Sequence, residues 1–187
     1  MRYACMPRSR LQENDLAVEA IRPADIEPIR LWRNAQIRVL RQSAPISREQ
    51  QEDYFRTQVW PEMESATPRN ILLAYLKGEE LVGYGGLVHV AWEHRRAEVS
   101  FLLKNDLAST PEEHTFYFPA FLRLMKALAF HDLRLDRLCT ETYAIRPQFI
   151  QALEREGFRR EGTLRHHVRI DGKPVDAILH GCLRSET

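Results

Sequence analysis

The sequence predicts an α+β domain in which a mixed, mostly antiparallel sheet has helices on both faces. Three observations carry this prediction: the middle of the chain reads as three consecutive short strands, helical patterns precede and follow them, and the chain ends in a hairpin. With 187 residues, 44% of them hydrophobic, the chain can bury one sizeable core. We expect a single domain over residues 16–187, preceded by a polar, irregular extension over residues 1–15.

The first elements are a strand and two helices. Residues 16–21 alternate in polarity as a strand does, and Ile26, Ile29 and Trp32 then fall on one helical stripe. Ser47 and Gln50 have the spacing of a capping box, in which a hydroxyl and an amide bond the free amides at a helix start. This predicts a second helix that begins after Ser47.

Three strands follow, over residues 70–77, 81–90 and 97–104. The first of them is apolar on both faces, which is typical of a central strand covered on both sides. The glycine-rich run from Gly83 to Gly86 lies inside a strand pattern with no helix after it. It therefore indicates a bulge or close packing and not a phosphate-binding loop.

A helix, a strand and a second helix come next. The run Thr110-Pro111-Glu112-Glu113 is a strong helix start. Pro119 is expected to divide this region into a short first turn and a main helix that begins near Pro119, because an interior proline removes one helical hydrogen bond. Residues 137–143 read as a strand, and Pro147 lies in the first turn of the following helix.

The last helix is followed by two strands. Gly157 stands where a helix-ending residue adopts a positive φ, and Phe158 can pack back near Leu153. The pair Asp171-Gly172 predicts a two-residue hairpin turn.

Charge and cysteine content exclude several function classes. The formal net charge is +1 and the isoelectric point is about 7.8, so we expect neither a nucleic-acid nor a membrane partner. Three cysteines without CxxC spacing suit a reducing compartment, and we expect a cytoplasmic protein. Adjacent histidines at 166 and 167 point to opposite faces of a strand, so no metal site is expected.

Two long segments resemble the GNAT superfamily of acyl-CoA-dependent N-acyltransferases, within the branch of ribosomal-protein N-terminal and amino-sugar acetyltransferases. The C-terminal segment is LEREGFRREGTLRHHVRIDGKPVDAILHGCL, preceded by AFHDLRLDRLCTET; the N-terminal one is IRPADIEPIRLWRN followed by ISREQ. The resemblance implies a GNAT-like seven-stranded sheet. It also implies transfer of an acetyl group from acetyl-CoA, as co-substrate, to a primary amine of a small molecule, an amino sugar or a peptide N-terminus.

The resemblance implies a donor site on one strand and one helix start. The family's glycine-rich phosphate loop would fall near Phe116 and Phe118, but this sequence has EEHTFYFP there, without glycine. The candidate donor-binding residues are Phe101, Leu102, Leu103, His114, Thr115, Phe116 and Tyr117.

Glu98 is the predicted general base, because it is the one acid within an apolar strand and matches the glutamate that several family members use. Glu141, on the strand expected beside it, is the second candidate. The alternative for either is to face solvent or to pair with an arginine such as Arg96. Tyr143 is the candidate acid for the leaving thiolate, with packing as its alternative.

The acceptor site is expected to involve Trp32, Arg33, Asn34, Arg165 and His167, with core packing as the alternative for Trp32. The partner would be a small-molecule amine or a peptide, and a homodimer is left open. Two alternative functions also stay open: a GNAT-fold binding or regulatory module without catalysis, and an acyltransferase that uses another thioester donor.

Overall fold

The computed structural model of the protein describes residues 1–187, except for the side chains of Pro111 and Glu112. The strands are β1 (Arg10–Glu13), β2 (Leu16–Ala20), β3 (Ile71–Lys77), β4 (Glu80–Ala91), β5 (Arg96–Leu103), β6 (Arg137–Tyr143), β7 (Arg159–Ile170) and β8 (Lys173–Leu183). The α-helices are α1 (Ile26–Ala35), α2 (Arg48–Tyr54), α3 (Trp60–Glu64), α4 (Asn105–Ala108), α5 (Pro111–Lys126) and α6 (Pro147–Arg155). π-helical segments over Phe55–Val59 and Ala127–Asp132 join α2 to α3 and extend α5.

The strands form one sheet in the order β1-β2-β3-β4-β5-β6-β8-β7, and only β5 and β6 pair in parallel. The predicted fold class is therefore confirmed, although the sheet has eight strands and not seven. The additional strand is β1, which pairs antiparallel with β2.

The first 15 residues correct the prediction of a polar, irregular extension. Residues 10–13 form β1, and Tyr3, Met6 and Leu11 are buried. The Tyr3 hydroxyl accepts a hydrogen bond from the backbone amide of Leu72 at 2.8 Å. This segment is thus tied to the sheet both by strand pairing and by buried side chains.

The middle of the sheet opens between β5 and β6. These two strands pair only at Arg96–Arg137, Ala97–Leu138 and Glu98–Cys139. Beyond Glu98, β5 keeps β4 as its neighbour while β6 keeps β8, so the strands diverge. The edge of β5 that faces β6 consequently carries backbone groups without a strand partner, inside an otherwise continuous sheet.

Opposite faces of β5 meet different helices, as side-chain alternation along a strand requires. Phe101 packs against Phe118 and Phe121 of α5 at ring-centroid distances of 4.9 and 4.7 Å. On the other face, Ser100 lines a cavity together with Ile29 of α1. The predicted helices on both faces are therefore present.

Gly86 is the glycine of β4 whose backbone most needs the absence of a side chain. Its φ is +142°, and a Cβ added to it would lie 1.9 Å from the carbonyl oxygen of Ile71 on β3. The run from Gly83 to Gly86 thus serves close strand packing, as predicted, and is not a phosphate loop.

Pro119 lies inside α5, which runs without interruption from residue 111 to residue 126. The predicted division of this helix at Pro119 is wrong. Helical residues on both sides of the proline, including Tyr117, Phe118, Phe121 and Leu122, are buried, so packing offsets the lost hydrogen bond.

The end of α6 and the hairpin agree with the sequence prediction. Gly157 has φ +86°, its amide donates to the carbonyl of Glu154, and the amide of Phe158 donates to that of Leu153. These are the two bonds of a Schellman motif. Asp171 and Gly172 both have positive φ and connect β7 to β8. Among the described residues, no helix is long and apolar enough to cross a membrane.

Candidate active site

Three charged side chains meet where β5 and β6 begin to separate. The Nη2 atom of Arg41 lies 2.7 Å from Oε1 of Glu98 and 3.2 Å from Oε2 of Glu141. His167, on β7, places Nε2 3.4 Å from the other oxygen of Glu141. Both carboxylates are mostly shielded, with side chains 20% and 17% exposed. The structure thus brings together both candidate acids and His167, with Arg41 and not Arg96 as the arginine partner.

Asn34 and Arg33 hold the loop that carries Arg41. The amide of Asn34 bonds the backbone carbonyl of Ile46 at 2.8 Å and accepts from the Ile46 amide at 2.8 Å. Gln42 donates to Asn34 at 3.0 Å and accepts from Arg33 at 3.0 Å. These two candidate acceptor residues therefore position the loop segment that directly follows Arg41.

A cavity of about 460 Å³, the splay cavity, occupies the opening between β5 and β6. It is lined by Glu98, Glu141, Tyr143, Phe101 and Leu102 among others. Tyr143 is 7% exposed, and burial raises the pKa of its phenol. A phenol in this position keeps its proton at neutral pH and can donate it.

A second cavity of about 540 Å³, the helix-end cavity, lies between the first turns of α5 and α6 and the segment after α1. Arg146 and Phe149 line both cavities, so the two adjoin. The Arg146 guanidinium carbon lies 3.4 Å from the ring centroid of Phe149. Burial lowers the pKa of Arg146 to about 10, so the side chain stays cationic at neutral pH.

Arg146 is unusual because no described carboxylate forms an ion pair with its guanidinium, and no described group accepts a hydrogen bond from it. A half-buried cation without a counter-ion is costly to the folded protein. An anion bound in either cavity would offset that cost.

Aromatic side chains occupy the positions where the resemblance described above would place glycines. Phe118 packs between Phe101 and Phe149, with a ring-centroid distance of 4.6 Å to the latter. Phe116 points outward and is 50% exposed, with the Lys77 ammonium 5.5 Å from its ring. Tyr117 is buried against Tyr75 on β3. Phe118 and Phe149 therefore fill one side of the opening and leave the two cavities beside them.

The candidate donor-binding residues divide into two groups. Phe101, Leu102 and His114 line the cavities, and His114 also bonds the carbonyl of Ala108 through Nε2 at 3.0 Å. The residues placed away from both cavities are Leu103, Thr115, Phe116 and Tyr117.

The candidate acceptor residues divide in the same way. Arg33 lines the splay cavity and His167 borders it through Glu141. Trp32 is 9% exposed and packs in the core, and Arg165 is exposed on β7 and lines neither cavity.

Sequence reasoning missed Arg41, Phe149 and the unpaired state of Arg146. Arg146 could have been noticed from the sequence, because it stands at a helix N-cap in place of the usual Ser, Thr, Asp or Asn, and its positive charge opposes the helix dipole there. Nothing in the sequence pointed to Arg41, because it lies in a loop 57 residues from Glu98.

Comparison with known proteins agrees with this architecture. A family model described as an acetyltransferase (GNAT) domain matches residues 18–179. The spermidine N-acetyltransferase from Vibrio cholerae in complex with CoA and spermine superposes with a TM-score of 0.80, at 18% identity over 93% of this chain and 98% of that chain. A dodecameric structure of spermidine N-acetyltransferase from the same organism gives 0.76, at 19% identity over 92% and 96%.

At these identities the structural likeness concerns the fold, and no curated protein matches the chain. The family model, by contrast, spans most of the sequence. The chain therefore belongs to the acetyltransferase (GNAT) family, and the predicted enzyme class, an N-acetyltransferase with acetyl-CoA as co-substrate, is confirmed.

Proposed function

We propose that this protein acetylates the primary amine of a small molecule, which binds in the splay cavity with its ammonium between Glu98 and Glu141. The observation that carries this proposal is the Arg41 guanidinium, which already places a cation within 3.2 Å of both carboxylates. An ammonium group offers the same charge and the same hydrogen-bond donors. Arg41 lies on a loop and is 47% exposed, so an incoming amine can displace it towards solvent.

The size of the site favours a small molecule over a folded protein or an extended peptide. The splay cavity, at about 460 Å³, is within the range of pockets that bury small ligands. The structural neighbours named above act on or bind spermidine or spermine, which are also small amines. Amino sugars and peptide N-termini remain acceptors to be compared in the assay below.

The residues of the cavity can perform the proton transfers. Bound acetyl-CoA supplies the activated thioester carbonyl. Glu98 takes one proton from the ammonium, so that the nitrogen can form the amide bond as the carbon–sulfur bond breaks. Tyr143, which stays protonated because burial raises its pKa, donates to the departing sulfur. The second amine proton, released as the amide forms, restores the phenol.

The residues present fit a CoA thioester despite the absent glycines. The free edge of β5 beyond Glu98 offers backbone groups to an extended arm. Arg146 offers positive charge for a diphosphate, and Arg38 at the rim of the helix-end cavity, which pairs with Asp171 in this structure, can exchange that partner for the diphosphate. In this proposal, side-chain cations replace the backbone amides of the usual loop.

The direct test is incubation of the protein with acetyl-CoA and a panel of amines. The panel contains arylalkyl amines, polyamines, an amino sugar and a short peptide. We expect release of free CoA together with a mass increase of one acetyl group on a small amine. Glu98→Gln is the control, and it should retain acetyl-CoA binding by calorimetry. Absence of acetyl-CoA binding at millimolar concentration would refute the donor site, and binding without acetylation of any amine would refute the catalytic role.

A further inference from the structure

A third cavity of about 320 Å³, here called the Gln51 pocket, extends the splay cavity between the sheet and helices α1 and α2. The two cavities adjoin, because they share the lining residues Arg33, Tyr54, Tyr84, Val88 and Ser100. A molecule whose amine lies at Glu98 can therefore extend into the Gln51 pocket.

Among the described lining residues, Gln51 is the one whose side-chain amide forms no hydrogen bond with another protein group. Its residue is 3% exposed, and no described group donates to or accepts from its side-chain amide. The neighbouring Gln50, in contrast, caps α2 by accepting from the Ser47 amide at 2.8 Å. Gln51 does not belong to the residues whose polar atoms are fully enclosed without a partner, so its amide faces the open space of the pocket. A polar ligand group in the pocket could therefore bond this amide directly.

The charge of the pocket argues against a second ammonium group. Arg33 is the one charged residue among its described lining residues, and its guanidinium donates to the Tyr84 hydroxyl at 2.7 Å. The described part of this lining contains no aspartate and no glutamate. The walls opposite are apolar and buried, and include Ile29, Phe55 and Leu72. The pocket therefore suits a neutral, mostly apolar group.

We propose that the Gln51 pocket holds the uncharged body of the acceptor, an aryl or compact alkyl group with one hydroxyl or carbonyl that bonds Gln51. This inference rests on the proposed function, since it places the acceptor amine at Glu98. It assigns the substrate class as monoamines with an apolar body. Linear polyamines, which carry a second and third positive charge along an extended chain, fit poorly because Arg33 would oppose the distal ammonium.

The test compares tyramine, phenethylamine and spermidine as acceptors with saturating acetyl-CoA. We expect kcat/KM for tyramine to exceed that for spermidine at least about ten-fold, the factor that one net hydrogen bond supplies. Gln51→Leu should lower kcat/KM for tyramine about ten-fold and leave phenethylamine, which lacks the hydroxyl, nearly unchanged. Gln51→Glu should shift the preference towards spermidine. Gln58→Leu, at an exposed position of the following π-helical segment, is the matched control.

Two results would overturn the inference: preference for spermidine in the wild type, or an equal loss for tyramine and phenethylamine in Gln51→Leu. Calorimetric binding of the amines, measured without turnover, separates this inference from the proposed function. Suppose that no amine is acetylated, but that tyramine binds and Gln51→Leu weakens its binding. The catalytic proposal then fails and the pocket assignment stands. If tyramine does not bind, the pocket assignment fails.

Discussion

The guanidinium of Arg41 bridges Glu98 and Glu141, with Nη2 at 2.7 and 3.2 Å from one oxygen of each carboxylate. Glu98 lies on β5 at the last position that pairs with β6, opposite Cys139. Glu141 lies on β6, two residues beyond Cys139, where the two strands have begun to diverge. A single cation therefore occupies the point at which a strand edge, a cavity and two acids meet. The proposed roles of Glu98 as the base and of the Arg41 loop as a displaceable element therefore depend on whether the guanidinium leaves this position when an amine binds.

Glu98→Gln tests the base. The substitution keeps the size of the side chain and its ability to hydrogen-bond, but it cannot accept a proton from an ammonium. We expect kcat to fall roughly 10²- to 10⁴-fold, the usual contribution of a general base. Glu141→Gln should reduce kcat less and raise KM for the amine. Steady-state kinetics measures both, and wild-type kcat in Glu98→Gln would remove Glu98 from the mechanism.

Arg41→Gln tests whether the arginine competes with the acceptor. If its guanidinium stands where the ammonium binds, its removal frees both carboxylates, and KM for the amine should fall several-fold. The comparison variant is Arg48→Gln, because Arg48 is exposed and pairs with Glu27 outside the site. A rise in KM for Arg41→Gln would mean that Arg41 contacts the acceptor and does not compete with it.

Local rules predicted the fold where a few adjacent residues decide the structure. Gly157 predicted the end of α6, and Asp171 and Gly172 predicted the hairpin, because a positive φ is needed at those three positions. The strand β1 was missed because it is short and mostly polar, and its pairing depends on β2. The continuity of α5 through Pro119 was missed because packing overrides propensity there.

The site was less predictable for a physical reason. Glu98, Glu141 and Tyr143 were identifiable from strand patterns and the family resemblance, and all three line the splay cavity. The importance of Arg41 and Gln51, however, depends on residues that are distant in sequence. A loop places Arg41 beside Glu98 of the sheet, and Gln51 lies on the buried face of its helix.

Arg146→Met separates a functional charge from a structural one. Removing a half-buried cation that has no counter-ion should raise the free energy of unfolding by about 1 kcal/mol, because its desolvation is no longer required. The same change should raise KM for acetyl-CoA about ten-fold, since a charged hydrogen bond to the donor is lost. Denaturant unfolding and steady-state kinetics measure the two effects.

Arg160→Met is the control for this pair of measurements. Arg160 is exposed on β7, and the hydroxyl of Thr163 is the one described group that its guanidinium bonds, so neither stability nor KM should change much. Loss of stability in Arg146→Met without a change in KM would show that Arg146 supports the fold and does not bind the donor.

Gly86→Ala tests the packing of the central strands. A methyl group at this position would lie 1.9 Å from the carbonyl oxygen of Ile71, at a φ of +142° that alanine rarely adopts. We expect the free energy of unfolding to fall by about 3 kcal/mol, from overpacking and backbone strain together. Gly162→Ala is the matched control, because nothing lies within 4 Å of a Cβ there. Equal stability of the two variants would contradict the close approach of β3 and β4.

His180→Gln tests the pH dependence of stability. His180 is fully buried, and burial lowers the pKa of its imidazole although Glu154 lies 3.7 Å away. The folded protein therefore keeps this imidazole neutral, while the unfolded chain takes up a proton below a pH of about 6.5. Because the unfolded state then binds more protons, stability should fall as the pH drops below that value, by about 1.4 kcal/mol per unit of pKa difference. Thermal unfolding at pH 7.5 and 5.5 should show a smaller loss of stability in His180→Gln than in the wild type.

The control for this comparison is His94→Gln. It alters an imidazole whose side chain is 65% exposed, so the loss of stability between the two pH values should equal that of the wild type. An equal loss in His180→Gln and wild type would mean that other groups govern the acid sensitivity, among them His114, whose pKa burial also lowers.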